Sequence, residues 1–325
     1  MNQTPLLRPK PLSPGDKVGL VCPASPPKNP SLIAECEQAV KTLGFEPVLG
    51  QYVYEKSAFL AGTDSQRMAD LVSFFRDDEI KAILCIRGGY GCNRLLPSFP
   101  FDVVANHPKL IIGYSDLTSL LLAIQQRTGL TTIHGPMIAG DFVMSHHPET
   151  RRRFVRLLSG EWDPNSSIMD EKTAGTGIQV LHDGSAVGPL LGGNLALVCS
   201  LLGTPWQPDF RGSLLFLEDV NESPYRIDRM LTQLHQTGVL ETVGGILFGH
   251  FTQDSRAPQQ GWSAAILDVL RERTEDLKIP VMAQLPFGHA TPNLPLPIGI
   301  QAKLSTQSKS VTLQEAVTDN PSHSN

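Results

Sequence analysis

In residues 109–128, KLIIGYSDLTSLLLAIQQRT, a serine stands where a short apolar run gives way to a helical pattern. A chain presents a nucleophile at such a junction. Leu110, Ile111 and Ile112, bounded by Gly113, read as a parallel strand covered on both faces. Leu117, Leu120, Leu121 and Ile124 recur at i, i+3, i+4 and i+7, which predicts a helix with one apolar face that Gly129 stops. Ser115 falls in the turn between them. Its hydroxyl would stand above the sheet, with the backbone N–H of Asp116 and the positive end of the helix dipole facing any anion formed beside it. The Gly-x-Ser-x-Gly elbow is incomplete, because Leu117 stands at its second glycine, and this disfavours an ordinary α/β-hydrolase. A serine before a helix is also a common N-cap, so the segment alone leaves both readings open.

A serine nucleophile needs a base for its proton and an acid to orient that base, and neither need be close in sequence. Glu218 emerges after the apolar run Leu214, Leu215, Phe216 and Leu217, with Asp219 behind it, and strand alternation sends the two acids to opposite sides. By composition alone a surface carboxylate at a strand end is the commoner case. Nine histidines compete for the base. His107, His146, His147 and His323 lie in polar stretches, and His235 reads as a helix-face residue. His134, His182, His250 and His289 remain; His289 is attractive because LPFGH can hold a loop rigid without secondary structure, while the residues alone leave His134 and His250 open. Arg87-Gly88-Gly89-Tyr90-Gly91 follows another buried run, and its glycines let backbone N–H groups approach a ligand. It lacks the Lys-Ser/Thr of a P-loop and the spacing Gly-x-Gly-x-x-Gly. With a serine nearby, Gly89 and Asp116 N–H groups suit an oxyanion hole, where one donor is worth roughly 3 to 4 kcal/mol.

The positioning elements alternate up to about residue 140. Strand-like runs at 18–22, 82–86 and 110–113 interleave with helices at Leu32–Leu43, ended by Gly44, and at 66–75. This predicts βα units, a parallel sheet with helices on both faces, and ligand-binding loops at the C-terminal ends of the strands. Residues 160–184 shift to Asp, Ser, Thr and Gly, which reads as a linker. The expected organisation is an N-terminal α/β domain at 1–160 carrying the serine, a linker at 161–184, a smaller mixed, β-rich C-terminal α/β domain at 185–318 carrying the Glu and His, and a disordered tail at 319–325. Within the C-terminal domain the patterns give helices near 195–202 and 226–235, strands at 214–217, 246–248 and 310–314, and an ordered, irregular proline-rich loop over 280–297.

At 325 residues with 41% hydrophobic content, the chain has material for two cores. The net charge of −5 and scattered Lys and Arg argue against a polyanion-binding face, the run Arg151 to Arg153 reading as a solvated helix end. No window approaches a membrane span and the N-terminus lacks the apolar stretch of a signal peptide, so a soluble, cytoplasmic protein is expected. Five cysteines without a CxxC pair read as buried thiols, with neither a disulfide framework nor a zinc site.

RGGYG near residue 90, GYSD with Ser115, LLGGNLALVCSLLGTPW, LFLEDVNESPYRIDRMLTQL and LPFGHA occur in one order across about residues 12–317. Together they resemble the LD-carboxypeptidases of serine peptidase family S66. The resemblance implies a Ser115, Glu218, His289 triad, an oxyanion hole from the backbone of Gly89 and Asp116, no cofactor or metal, and homodimers. It also implies the substrate: cytoplasmic muropeptide tetrapeptides that lose a terminal D-alanine, cut at an L,D peptide bond during cell-wall recycling. Arg87 is the expected bidentate partner of the substrate carboxylate, with Tyr90, Tyr225 and Arg226 as further substrate contacts and Asp228 beside them. A microcin C-type peptide-nucleotide peptidase of the same family is the nearest rival. It would be expected to carry an aromatic residue over the nucleobase in the loop before LLGGN, and residues 178–189 contain no Trp, Phe or Tyr. A non-catalytic two-domain peptide-binding protein is the rival of another class.

Overall fold

The computed structural model describes residues 5–170, 177–253 and 261–319. Its strands, in chain order, are β1 (Lys17–Val21), β2 (Glu46–Leu49), β3 (Ile80–Cys85), β4 (Leu110–Gly113), β5 (Thr132–His134), β6 (Ser167–Met169) and β7 (Gln179–His182). They continue with β8 (Ser185–Asn194), β9 (Leu214–Val220), β10 (Gly245–Thr252), β11 (Val281–Leu285), β12 (Leu296–Ile298), β13 (Gln301–Ser305) and β14 (Ser310–Leu313). One sheet of six strands has the order β12-β5-β4-β3-β1-β2, and a second of eight has the order β6-β14-β13-β8-β9-β10-β11-β7. The architecture is a two-domain α/β fold.

In the first sheet β1 to β5 are parallel, and the central strands β1, β3 and β4 are buried apolar runs over most of their length, as strands covered on both faces must be. The chain steps from β1 outward to β2, then returns past β1 to β3 and continues to β4 and β5. Right-handed crossovers therefore place the helix Leu32–Leu43 on one face and the helices Asp64–Arg76, Phe101–Asn106 and Thr118–Thr128 on the other. The reversal of direction lies between β1 and β3, and a doubly wound sheet opens its ligand crevice at that point. The glycine loop leaves β3 at this edge, and the serine turn leaves the adjoining β4. The second sheet is parallel across β8-β9-β10-β11 and antiparallel outside it.

The helix Thr118–Thr128 departs from the single apolar face that its spacing predicts. Every residue from Thr118 to Ile124 is fully buried, because the first sheet covers one side and the second domain the other. The polar members of this stretch are bonded. Thr118 Oγ1 accepts the Asn194 N–H at 3.0 Å, and Ser119 Oγ donates to Asp116 O at 3.2 Å. Arg127 Nη2 reaches Pro205 O across the same boundary. This helix is the wedge on which the domains meet.

Four expectations change. The segment read as a linker forms β6 and β7, two short strands that close the two opposite edges of the eight-stranded sheet. The proline-rich region carries β11 and β12. Pro280 and Pro286 flank a five-residue strand, and Pro297 sits on a sheet edge, where a missing N–H is tolerated. Because β12 pairs antiparallel with β5, with Leu296 opposite His134, residues 296–298 belong to the first sheet although they lie within 185–318. Finally, Arg153 is not solvated. It lies in the helix Pro148–Leu158, bonded to Glu149 at 2.5 Å and to Ile168 O at 2.6 Å, with Trp162 beneath its guanidinium at 5.4 Å. Of the tail, Asp319 donates its N–H to Pro9 O at 2.8 Å, and residues 320–325 lie outside the described residues. All five cysteines are buried thiols. Among the described residues no helix is long and apolar enough to cross a membrane.

Leu121→Ala should lower the chemical-denaturation midpoint by an amount corresponding to about 3 kcal/mol, since the fully buried side chain leaves a cavity between two packed layers. Exposed Arg152→Ala should move it by less than about 1 kcal/mol. Equal effects would remove the wedge from this account.

Candidate active site

Strand β4 ends at Gly113, and Ser115 opens a short 3-10 turn that runs into the helix Thr118–Thr128. Ser115 has φ 62°, a left-handed conformation costing a non-glycine residue about 1 to 2 kcal/mol, and the strand–turn–helix junction on either side holds it there. The glycine loop packs on this turn. A Cβ on Gly88 would lie 3.0 Å from Ser115 Cβ and 3.2 Å from Ser115 Oγ, so a larger residue there would crowd the hydroxyl. Asp116 has a second role unseen in the sequence: its Oδ2 accepts the Cys92 N–H at 2.8 Å, tying the serine turn to the glycine loop. Ser25, after β1, completes the fixing, since its Oγ accepts Tyr90 N–H at 3.2 Å and its N–H meets Gly88 O at 3.4 Å. Buried Arg67 holds the far end through Gly91 O at 3.0 Å.

The acid and the imidazole arrive from the other sheet. Glu218 lies on β9 with no exposed side-chain surface. Its Oε2 meets His289 Nδ1 at 2.7 Å and accepts the His289 backbone N–H at 3.1 Å. Gly288, at φ 82°, makes this approach possible, for a Cβ there would fall 2.3 Å from Glu218 Cγ. Burial pushes the Glu218 carboxyl up, but the charge of His289 and its hydrogen bonds outweigh that, and the group is held below its ordinary value. For His289 burial acts downward, and the charge and hydrogen bond of Glu218 raise it above its ordinary 6.5. Asp219, on the opposite side of β9, serves the helix Leu195–Leu201. It accepts Asn194 Nδ2 at 2.9 Å and Ala196 N–H at 3.0 Å, and burial, then the charge of Glu218, push it up to about 6.

The His289 loop runs from β11 in one sheet to β12 in the other, so both domains fix it. Buried Asn293 is the anchor. Its Oδ1 accepts Gly288 N–H at 3.0 Å, its Nδ2 donates to Asp141 Oδ1 at 3.1 Å, and its N–H donates to Thr150 Oγ1 at 3.0 Å. Tyr114, the residue before Ser115, lies edge-on to His289 with ring centroids 4.8 Å apart, which brings the imidazole to the serine turn. Neither Asn293 nor Tyr114 carried a signal of its own in the sequence, beyond standing near a candidate residue.

The other candidates separate. Arg87 is half-buried, and its Nη1 donates to Pro26 O at 2.8 Å, with no acidic partner among the described residues. Tyr90 is exposed and packs edge-on against exposed Phe59 at 5.4 Å. Tyr225 lies exposed below Arg229, Arg226 pairs with Glu222 at 3.3 Å, and Asp228 pairs with Arg273 at 2.7 Å. These are surface pairings, and among the described residues none bonds to Ser115, Glu218 or His289. Nor is there among those residues a cluster of three or more His, Cys, Asp or Glu side chains able to hold a metal ion.

Known proteins resemble this chain in sequence and in fold. A model of the LD-carboxypeptidase N-terminal domain matches residues 18–135, and one of the LD-carboxypeptidase C-terminal domain matches residues 187–304. A probable murein peptide carboxypeptidase of Bacillus subtilis is 38% identical over 96% of this chain and 96% of its own. The crystal structure of muramoyltetrapeptide carboxypeptidase from Oxalobacter formigenes superposes with a TM-score of 0.77 at 29% identity, covering 94% of this chain and 99% of that one. The structure of MccF in complex with glutamyl sulfamoyl guanosine superposes at 0.82 and 25% identity, over 96% and 100%.

An NMR titration of His289 should give a midpoint above 6.5. Glu218→Gln removes the charge that raises it and keeps the burial that lowers it, so the midpoint should then fall below 6.5. A midpoint unmoved by that change would dissolve the pair.

Proposed function

This chain belongs to the LD-carboxypeptidase family, and from that membership we propose that it is a serine peptidase releasing the terminal D-alanine of muropeptide tetrapeptides. The observation that carries the reading is the 2.7 Å pair of Glu218 and His289 beside the strained Ser115 turn. His289 Nε2 removes the Ser115 Oγ proton as Oγ attacks the carbonyl carbon between the L-centre of the third residue and D-alanine. Glu218 stays ionised and holds Nδ1–H, which fixes the tautomer. The carbonyl electrons move to the oxygen, where the N–H groups of Gly89 and Asp116 are the donors we assign. The C–N bond then breaks as His289 gives its proton to the leaving amine. Water, deprotonated by His289, attacks the acyl-serine ester and frees Ser115 and the tripeptide.

A carboxypeptidase must read a free carboxylate at the chain end, and we assign this to Arg87, whose fork is held on one side by Pro26 O. Tyr90 at the lip of the glycine loop, with Tyr225 and Arg226 beyond Glu218, completes the proposed substrate contacts. We place the reaction in cytoplasmic peptidoglycan recycling, by a homodimer. The likeness to MccF supports a second reading, cleavage of a peptide-nucleotide antibiotic. Against it, residues 178–189, which form β7 and begin β8, offer no Trp, Phe or Tyr for a nucleobase.

Incubation of L-Ala-γ-D-Glu-meso-diaminopimelate-D-Ala with the protein should remove one alanine by mass spectrometry, and Ser115→Ala should reduce kcat by about 10⁶. Cleavage by both would discard Ser115 as nucleophile, and cleavage of the peptide-nucleotide alone would select the second reading. Arg87→Ala should raise KM about 10- to 100-fold, the worth of a hydrogen bond to a charged group. An unchanged KM would assign carboxylate recognition elsewhere.

A further inference from the structure

A second histidine lies beneath the triad. His134 ends β5, opposite Gly113 of β4 and Leu296 of β12, and it is fully buried. Its ring is surrounded edge-on by Phe216 at 5.2 Å, Tyr114 at 6.0 Å and Phe287 at 6.2 Å. Each of these aromatics stands one or two residues before a member of the triad: Tyr114 before Ser115, Phe216 before Glu218 and Phe287 before His289. His134 thus occupies the hub from which all three are hung.

The polar groups in that hub are unevenly served. Glu218 Oε2 takes both contacts from His289, while Oε1 is buried without a partner among the protein groups, and so are both ring nitrogens of His134. Burying such atoms unpaired is costly. The titratable groups facing His134 are Glu218 from β9, His289 from the loop and Tyr114 from the serine turn. Burial pushes His134 down to about 4, with the charge of His289 acting the same way and that of Glu218 opposing. At neutral pH it is an uncharged ring with one N–H to donate.

We propose that His134 is a positioning residue whose N–H serves the Oε1 side of Glu218 through one water, orienting the carboxylate toward His289. The proposal rests on the triad reading above and adds a fourth residue to it. An apolar replacement of the same shape keeps the aromatic hub and removes the donor. A carboxylate with one fewer donor is the stronger base, so it holds the His289 proton more tightly.

In His134→Phe the His289 midpoint should rise by about 0.5 pH unit or more, and kcat on the tetrapeptide should fall about 10- to 100-fold with KM within about twofold. His134→Gln, which keeps an N–H donor, should restore both toward wild type. His134→Leu is the second donor-free variant if the phenylalanine is not accommodated. The NMR midpoint does not require turnover, so it decides the proposal even if the peptide is not cleaved. Loss of thermal stability with an unmoved His289 midpoint, or equal impairment in the Gln and Phe variants, would show that His134 only fills space and would overturn the proposal.

Discussion

An ionised carboxylate cut off from bulk solvent cannot stand alone, and Glu218 is such a group. Its charge is tolerated because His289 offers two N–H groups to one oxygen. This requirement reaches outward: the loop must bend at Gly288 to come close, Asn293 must hold the bend, and Asp141 and Thr150 must hold Asn293. Removing one partner of such a pair costs about 3 to 5 kcal/mol, since the other is left as a buried uncompensated charge. The pair therefore makes a stability requirement of the same contact that raises the proton affinity of the imidazole.

The seam between the sheets follows the same logic. Ser115 comes from the six-stranded sheet and Glu218 from the eight-stranded one, and neither domain holds the whole constellation. The buried helix Thr118–Thr128 fixes the distance between them, because close-packed layers have little freedom to slide. Asn194 sits at the contact, capping the helix Leu195–Leu201, donating its N–H to Thr118 and binding Asp219. The LLGGNLAL motif is therefore structural: Gly193 and Asn194 let β8 pass close to the wedge helix, and Gly192 leaves room for the Phe216 backbone of β9.

The parallel core of the first domain was legible in the sequence because strands buried on two faces are written as uninterrupted apolar runs, and their helices carry glycine stops. Leu32–Leu43, ended by Gly44 in the left-handed conformation, matches its pattern residue for residue. Edge strands were not legible. β6 and β7 are three and four residues long, too short to show a strand period, and they lie in a polar stretch of sequence. In the candidate site, Ser115 could be located from local pattern, whereas Glu218 and His289 were selected by family resemblance. Local patterns do not encode which distant strand end faces which loop. Asn293, Tyr114 and the Oδ2 bond of Asp116 became visible only with coordinates, because each matters through a partner remote in sequence.

Strand β12 carries a consequence for how the protein is made. The edge of the six-stranded sheet at β5 is completed by residues 296–298, some 160 positions downstream, and only then does the chain return to the other sheet through β13. A nascent chain leaving the ribosome in order therefore exposes the β5 edge until the second domain has been almost wholly synthesised. Such a long-range closure makes for high contact order and slow folding. The two halves have correspondingly little freedom to be separated by gene fusion or exchanged as modules, and the enzyme must be inherited as one piece.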